Sequence, residues 1–266
     1  MKFTNFFVPI FIFVALFSTI ESRKAKKITP ITFYTTKELD SNHLVRSVLV
    51  FSGVAFSETR FKKDSVSQKE LFAEISKSGF LAPSIPMISD TAKGVKYIST
   101  TEAAINYIVL SYNKELFSSN LLLHSISIQL SSIVKNYIKK TIKILNVSKT
   151  LDCSMLLDIA NIRNTLKVLN DSFKSSKFTY FTGEKVSYID IVIYTLVLFI
   201  ENVSPGCVIS NYDGLRDLAY NISFIPQIYR FESSSYFHSL LVPGTQVFAK
   251  RINFALGSSK FLSLAS

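Results

Sequence analysis

The apolar pattern of this chain changes period once, and that change decides what it can fold into. Between residues 28 and 112, short β-rich runs alternate with helical stretches; from Leu116 onward strand signals fade and apolar residues recur at three- and four-residue spacing. In the first part, Ile31–Tyr34 reads as a strand. A helix carrying Leu44, Val45, Val48 and Leu49 follows, with Ser41 as its N-cap and Gly53 as its stop. Phe56–Phe61 alternates as a strand, and Val66–Lys77 is helical. Ile85–Ile88 is a strand entered through Pro86. Thr91–Gly94 is a turn before a strand at Val95–Ile98, and Ser99 opens a helix through Tyr107. The order is β-α-β-α-β-β-α.

In the second part, Leu121–Leu145 predicts one long helix and Met155–Phe173 a second. Tyr188–Ile200 predicts a very apolar third, and Leu215–Ser233 one or two more around Pro226. Phe178–Gly183 is a connector. The fold class is therefore α+β: residues 28–112 form an α/β domain, residues 116–240 an all-helical one, and residues 241–266 a tail with Pro243, Gly244 and Gly257.

Composition narrows the chemistry. With 48% hydrophobic and 18% charged residues, the 266-residue chain is no disordered polyelectrolyte. Two cysteines cannot build a disulfide-dense scaffold or a four-thiolate zinc site. His43, His124 and His238 are far apart, so no metal is expected. The net charge of +11 is concentrated at the start: the first 27 residues hold five basic residues against Glu21, leaving 25 basic and 18 acidic residues diffusely spread. That distribution is a solvated basic surface, and no nucleic-acid partner is expected.

Residues 1–25 read as a secretory signal peptide: Lys2, an apolar stretch from Phe6 to Phe17, then Ser18, Thr19 and Ser22. Retained uncleaved, the same segment would be a membrane anchor. Secretory entry turns the Asn-x-Ser sequences at Asn146, Asn170, Asn202 and Asn221 into candidate glycan sites and permits Cys153 and Cys207 to pair; their separation cannot be read from the sequence.

Three segments together resemble the glutathione transferase family, closest to its tyrosine-type, sigma-like members. They are Ile85-Pro86 at the third strand, Ser99-Thr-Thr-Glu-Ala-Ala-Ile-Asn-Tyr107 after the fourth, and Gly183-Glu-Lys-Val-Ser-Tyr-Ile-Asp190 before the very apolar helix. The resemblance spans roughly residues 28–235. It implies a thioredoxin-like N-terminal domain, an all-α C-terminal domain and a two-fold homodimer. It further implies transfer of the glutathione thiolate to hydrophobic electrophiles, the family's detoxification chemistry, with glutathione as substrate.

The resemblance also assigns residues. A cis Pro86 would turn the backbone of Ile85 toward the cysteinyl group of glutathione. Thr100 and Thr101 stand where the family has Gln-Ser or Glu-Ser, at a helix N-terminus suited to the γ-glutamyl carboxylate. Ser99 and Glu102 also fit an ordinary capping box there. Lys77 matches a lysine that reaches the glycyl carboxylate. Tyr34 matches the catalytic hydroxyl that stabilises the thiolate, although its interval to Arg46 is one residue longer than the family's, which leaves Thr35 and Thr36 as alternatives. Ser187-x-x-Asp190 is a capping box with a folding role. Two readings follow: a secretory-pathway glutathione transferase, or a non-catalytic binding or assembly module on the same fold. A thioredoxin-type oxidoreductase is excluded because the first half contains no cysteine.

Overall fold

The computed structural model describes residues 31–36, 40–62, 64–80, 82–148 and 150–238. The signal segment 1–25 and the tail 241–266 lie outside the described residues. A four-stranded sheet is built from β1 (Ile31–Thr36), β2 (Phe56–Phe61), β3 (Met87–Asp90) and β4 (Val95–Ser99), in the order β2-β1-β3-β4. β1 runs parallel to β2 and antiparallel to β3, and β3 runs antiparallel to β4. The parallel pair requires a crossover, supplied by α1 (His43–Phe51), whose residues from His43 to Val50 are all buried. α2 (Val66–Lys77) follows β2, and α3 (Thr101–Tyr112) packs beside α1. This is a thioredoxin-like βαβαββα unit.

Alternation along β1 sorts its side chains: Ile31, Phe33 and Thr35 are buried, whereas Thr32, Tyr34 and Thr36 face the other way and are half-buried. On the buried side, the Arg46 guanidinium lies over the Phe33 ring at 5.5 Å and pairs with Glu58 of β2 at 2.6 Å. Both partners of that pair are almost wholly removed from water, so truncating one would leave a buried charge, at a cost of about 3–5 kcal/mol.

The helical half contains α4 (Leu121–Ser148), α5 (Cys153–Asp158), α6 (Ile162–Ser176), α7 (Tyr188–Val203), α8 (Asp213–Ser223), α9 (Pro226–Glu232) and α10 (Ser235–His238). α7 is the core: it packs on α1, α4 and α8, and only Val203 escapes full burial. Its start is fixed by the Ser187–Asp190 box, in which the Ser187 backbone N–H and hydroxyl both donate to the Asp190 carboxylate. Cys153 and Cys207 form a disulfide across 54 residues. Closing a loop of that length stabilises by about 4 kcal/mol in the chain-entropy account. Among the described residues, no helix is long and apolar enough to cross a membrane.

Four sequence expectations are corrected. The cap of α1 is Asn42, not Ser41, because the Asp40 carboxylate captures the Asn42 N–H and amide and shifts the start by one residue. The cap of α3 is Thr100, whose hydroxyl accepts from the Ala103 N–H, so Ser99 and Glu102 form no capping box. The third strand begins at Met87, beyond the proline. The helix expected over Met155–Phe173 is broken at Ala160 and Asn161, which both adopt left-handed backbone (φ 53° and 56°). There Leu156 and Leu157 of α5 leave the apolar stripe of α6, and the disulfide at Cys153 ties α5 to the loop after α7.

Glu232 is buried and accepts a hydrogen bond from the Tyr194 hydroxyl of α7 at 2.6 Å. Burial pushes its carboxyl up to about 8, outweighing that bond. The folded state therefore binds this proton more tightly than the unfolded chain, and stability is lost as pH rises from about 4.5 to about 8. Buried His43, pushed down by burial and by Arg46, acts in the opposite sense below its ordinary value of 6.5. Subtracting the Tm–pH profile of Glu232→Gln from that of wild type isolates the carboxyl: the difference should grow in the variant's favour across pH 5–8. A constant difference would show that Glu232 does not titrate in this window.

Candidate functional site

The peptide bond between Ile85 and Pro86 is cis. Two hydrogen bonds hold this bend against the segment that leads into α3: the Thr100 N–H donates to the Pro86 carbonyl at 3.0 Å, and the Ser84 N–H donates to the Ser99 hydroxyl at 3.3 Å. The register continues the link into the sheet, with Met87 opposite both Tyr34 and Ser99. Further along, the Asp90 carboxylate at the end of β3 accepts from the hydroxyls of Tyr107 and Tyr112 on α3. Burial pushes Asp90 up, but these bonds and the Lys93 N–H outweigh it and hold the carboxyl below its ordinary value. α3 is thereby tied to β3 at both ends of the strand: its start to the bend before Met87, and its second half to Asp90.

A cleft of about 400 Å³ opens between them. One wall is Ser84, Ile85 and Pro86; a second is Thr100, Thr101 and Glu102 at the start of α3; a third is Ser132, Lys135, Asn136 and Lys139 on α4; and Ser41 and Asn42, at the start of α1, complete it. Two helix N-termini thus meet one cavity with their positive dipole ends; α3 also offers the Thr101 and Glu102 N–H groups, whereas the first N–H groups of α1 are taken by Asp40, Ser41 and Asn42. Lys135 pairs with Glu102 across α3 and α4, and burial pulls its ammonium below the ordinary value. With Lys139 beside it, the α4 wall is polar and cationic.

Thr100 carries φ 78° and ψ 149°, a conformation that a β-branched side chain rarely adopts. Thr101 is 6% exposed and lines the cleft, yet its hydroxyl has no hydrogen-bond partner among the described residues. Ser41 is half-buried and likewise keeps an unengaged hydroxyl at the cleft. The arrangement suits a ligand with a carboxylate at one end and an extended peptide edge along the bend.

The structure brings Ile85, Pro86, Thr100 and Thr101 together in this cleft and leaves Tyr34 and Lys77 out of it. Tyr34 is on the opposite face of β1 from Phe33, with its ring 6.3 Å from that of Tyr97 on β4. Lys77 is exposed at the end of α2. Of the alternatives, Thr35 is fully buried with its hydroxyl unpartnered among the described residues, and Thr36 donates to Asp40. The hydroxyl that sequence reasoning passed over is Ser41. Its signal was the polar turn Asp40-Ser41-Asn42 between the first strand and an apolar helix, read there only as a cap. The α4 residues carried no local signal, because they meet α3 only through the tertiary fold. Among the described residues, no group of acidic, histidine or cysteine side chains is placed to hold a metal.

Residues 155–235 match the family model described as glutathione S-transferase, C-terminal domain. Among solved structures, the chain is similar to one titled rat hPGDS complexed with a quinoline: 12% identity, 76% of this chain and 94% of that chain covered, TM-score 0.57. At that identity the likeness is one of fold. No curated protein matches the sequence.

Strain and capping at Thr100 separate in two variants. Thr100→Ala loses the bond to the Ala103 N–H and should destabilise by about 1 kcal/mol. Thr100→Gly loses only a few tenths from the cap and releases the positive-φ strain, so it should match or exceed wild type in urea denaturation. A glycine variant less stable than the alanine variant would contradict the strained backbone.

Proposed function

We propose, for a chain that carries a glutathione S-transferase C-terminal domain on the glutathione transferase fold, that the cleft binds glutathione and activates its thiol for transfer to an electrophile. The observation that carries this reading is the convergence of the cis Ile85–Pro86 bend, the start of α3 and the unengaged Thr101 hydroxyl on one cavity. In it, Thr101 and the first N–H groups of α3 receive the γ-glutamyl carboxylate, and the backbone of Ile85 pairs with the cysteinyl segment. Thr100 holds the turn that aims them.

The thiolate is the nucleophile in this chemistry, and a hydroxyl that donates to it lowers the thiol pKa. Ser41 takes that role, beside the positive end of α1; Tyr34, packed against Tyr97, serves the sheet. With Lys135 and Lys139 on the α4 wall, the second substrate meets a polar surface. The reading as a non-catalytic binding module is favoured by one specific observation, the Thr100–Thr101 pair in place of the family's Gln-Ser or Glu-Ser.

Calorimetry with glutathione should show binding to wild type and about tenfold weaker binding to Thr101→Ala, the loss of one hydrogen bond to a charged group. With a chloronitrobenzene electrophile, Ser41→Ala should lose at least tenfold in kcat while Tyr34→Phe stays within twofold. Binding without turnover in wild type would select the binding module; the reverse ranking of the two variants would return the role to Tyr34. No binding by folded wild-type protein would overturn the glutathione reading.

The chain is also proposed to enter the secretory pathway through residues 1–25, in keeping with its Cys153–Cys207 disulfide. It is further proposed to form a two-fold homodimer, as the family implies. Sedimentation at twice the chain mass is expected, and a monomer at micromolar concentration would contradict it.

A further inference from the structure

The structure separates the four Asn-x-Ser sequences by what surrounds each asparagine amide. Asn170 on α6 is buried, and its Oδ1 accepts from the N–H groups of Gly214 at 2.9 Å and Leu215 at 3.4 Å. That contact is so close that even a Cβ added at Gly214 would come within 3.0 Å of Asn170 oxygens. Asn202 is 3% exposed on α7, with both amide atoms enclosed. Asn221 on α8 is half-buried, and its Nδ2, the atom a glycan would occupy, donates to the Thr179 carbonyl at 2.8 Å. Asn146 differs from all three. It lies in the last turn of α4 with Val147 and Ser148, all exposed, and its side chain forms no hydrogen bond among the described residues.

A second observation concerns the surface around it. Val147 is 83% exposed and Ile144 37% exposed, so the end of α4 presents apolar side chains on either side of Asn146. A bulky, hydrated sugar chain at that position would cover them.

We propose that Asn146 is the N-glycosylation site of the folded protein and that Asn170, Asn202 and Asn221 are unmodified in it. The proposal rests on the secretory reading of residues 1–25. In the reaction, the Asn146 Nδ2 attacks the anomeric carbon of an oligosaccharide carried on a lipid pyrophosphate. The new N–C bond forms, the C–O bond to the pyrophosphate breaks, the lipid pyrophosphate leaves with the electron pair, and Nδ2 gives up one proton. Sugar transfer precedes folding, so a chain modified at Asn170 or Asn202 could not close the α6–α8 contact or bury α7. Modification at Asn146 disturbs no hydrogen bond among the described residues. Asn146 follows Lys139 by seven residues, about 10 Å along the same face of α4, so the glycan would stand beside the cleft's cationic wall.

The test expresses the full chain in a eukaryotic host and recovers the soluble, folded protein from its secretory pathway. Protease protection of microsomes reports entry, and an endoglycosidase-sensitive mobility step reports the glycan. The expected result is one such step in protected protein, abolished by Asn146→Gln and by Ser148→Ala and retained in Asn170→Gln, Asn202→Gln and Asn221→Gln. Protected wild-type protein without the step, or a step that survives Asn146→Gln, overturns the site while leaving secretory entry intact. A chain left unprotected overturns both.

Discussion

Burial of α7 is the constraint on which both halves depend. Fifteen of its sixteen residues are removed from water, and the surfaces that remove them come from α1 on one side and from α4 and α8 on the other. At about 1.5–3 kcal/mol for each large apolar side chain, no other helix among the described residues contributes as much. A helix so uniformly apolar cannot select its own starting point by amphipathic pattern, so the start is set by the Asp190 carboxylate. It accepts the Ser187 N–H and hydroxyl and, at 2.7 Å, the Phe181 N–H of the preceding connector. Burial pushes that carboxyl up from its ordinary value, a measure of what the three bonds offset.

The cleft is a consequence of this packing. α1 lies against the sheet on one side and α7 on the other, so its N-terminal end is fixed relative to the bend at Pro86. α4 is held on α7 in part by the Tyr188 hydroxyl donating to Ser131 at 3.0 Å. That contact is one residue from Ser132 and one turn from Lys135, both of which line the cavity. The Glu102–Lys135 pair then closes the corner between α3 and α4. A site assembled from four separate segments in this way belongs to the tertiary structure more than to any one motif.

This explains what could be read from the sequence and what could not. The crossover β1–α1–β2, the proline bend, the Ser187–Asp190 box and the break at Pro226 are local, and each showed in a few adjacent residues. Tyr34 was matched by its place after a strand read as ending there, but β1 runs on to Thr36, so Tyr34 lies within the sheet with its ring beside Tyr97. The cap of α3 moved from Ser99 to Thr100 because Ser99 is the partner of Met87 in the sheet and its hydroxyl is engaged by Ser84. Lys135 and Lys139 carry no local signal on a long helix, and only the tertiary approach of α3 to α4 makes them a wall.

The central claim is that a peptide thiol lies along the Ile85–Pro86 bend with its acid end on α3. Titrating isotope-labelled protein with glutathione while following backbone amide resonances tests it most directly. The claim predicts saturable shifts concentrated at Ile85, Thr101, Glu102 and Ala103. Shifts confined to the α2 side of the sheet around Tyr34 and Tyr97, or none at saturating ligand, would contradict it.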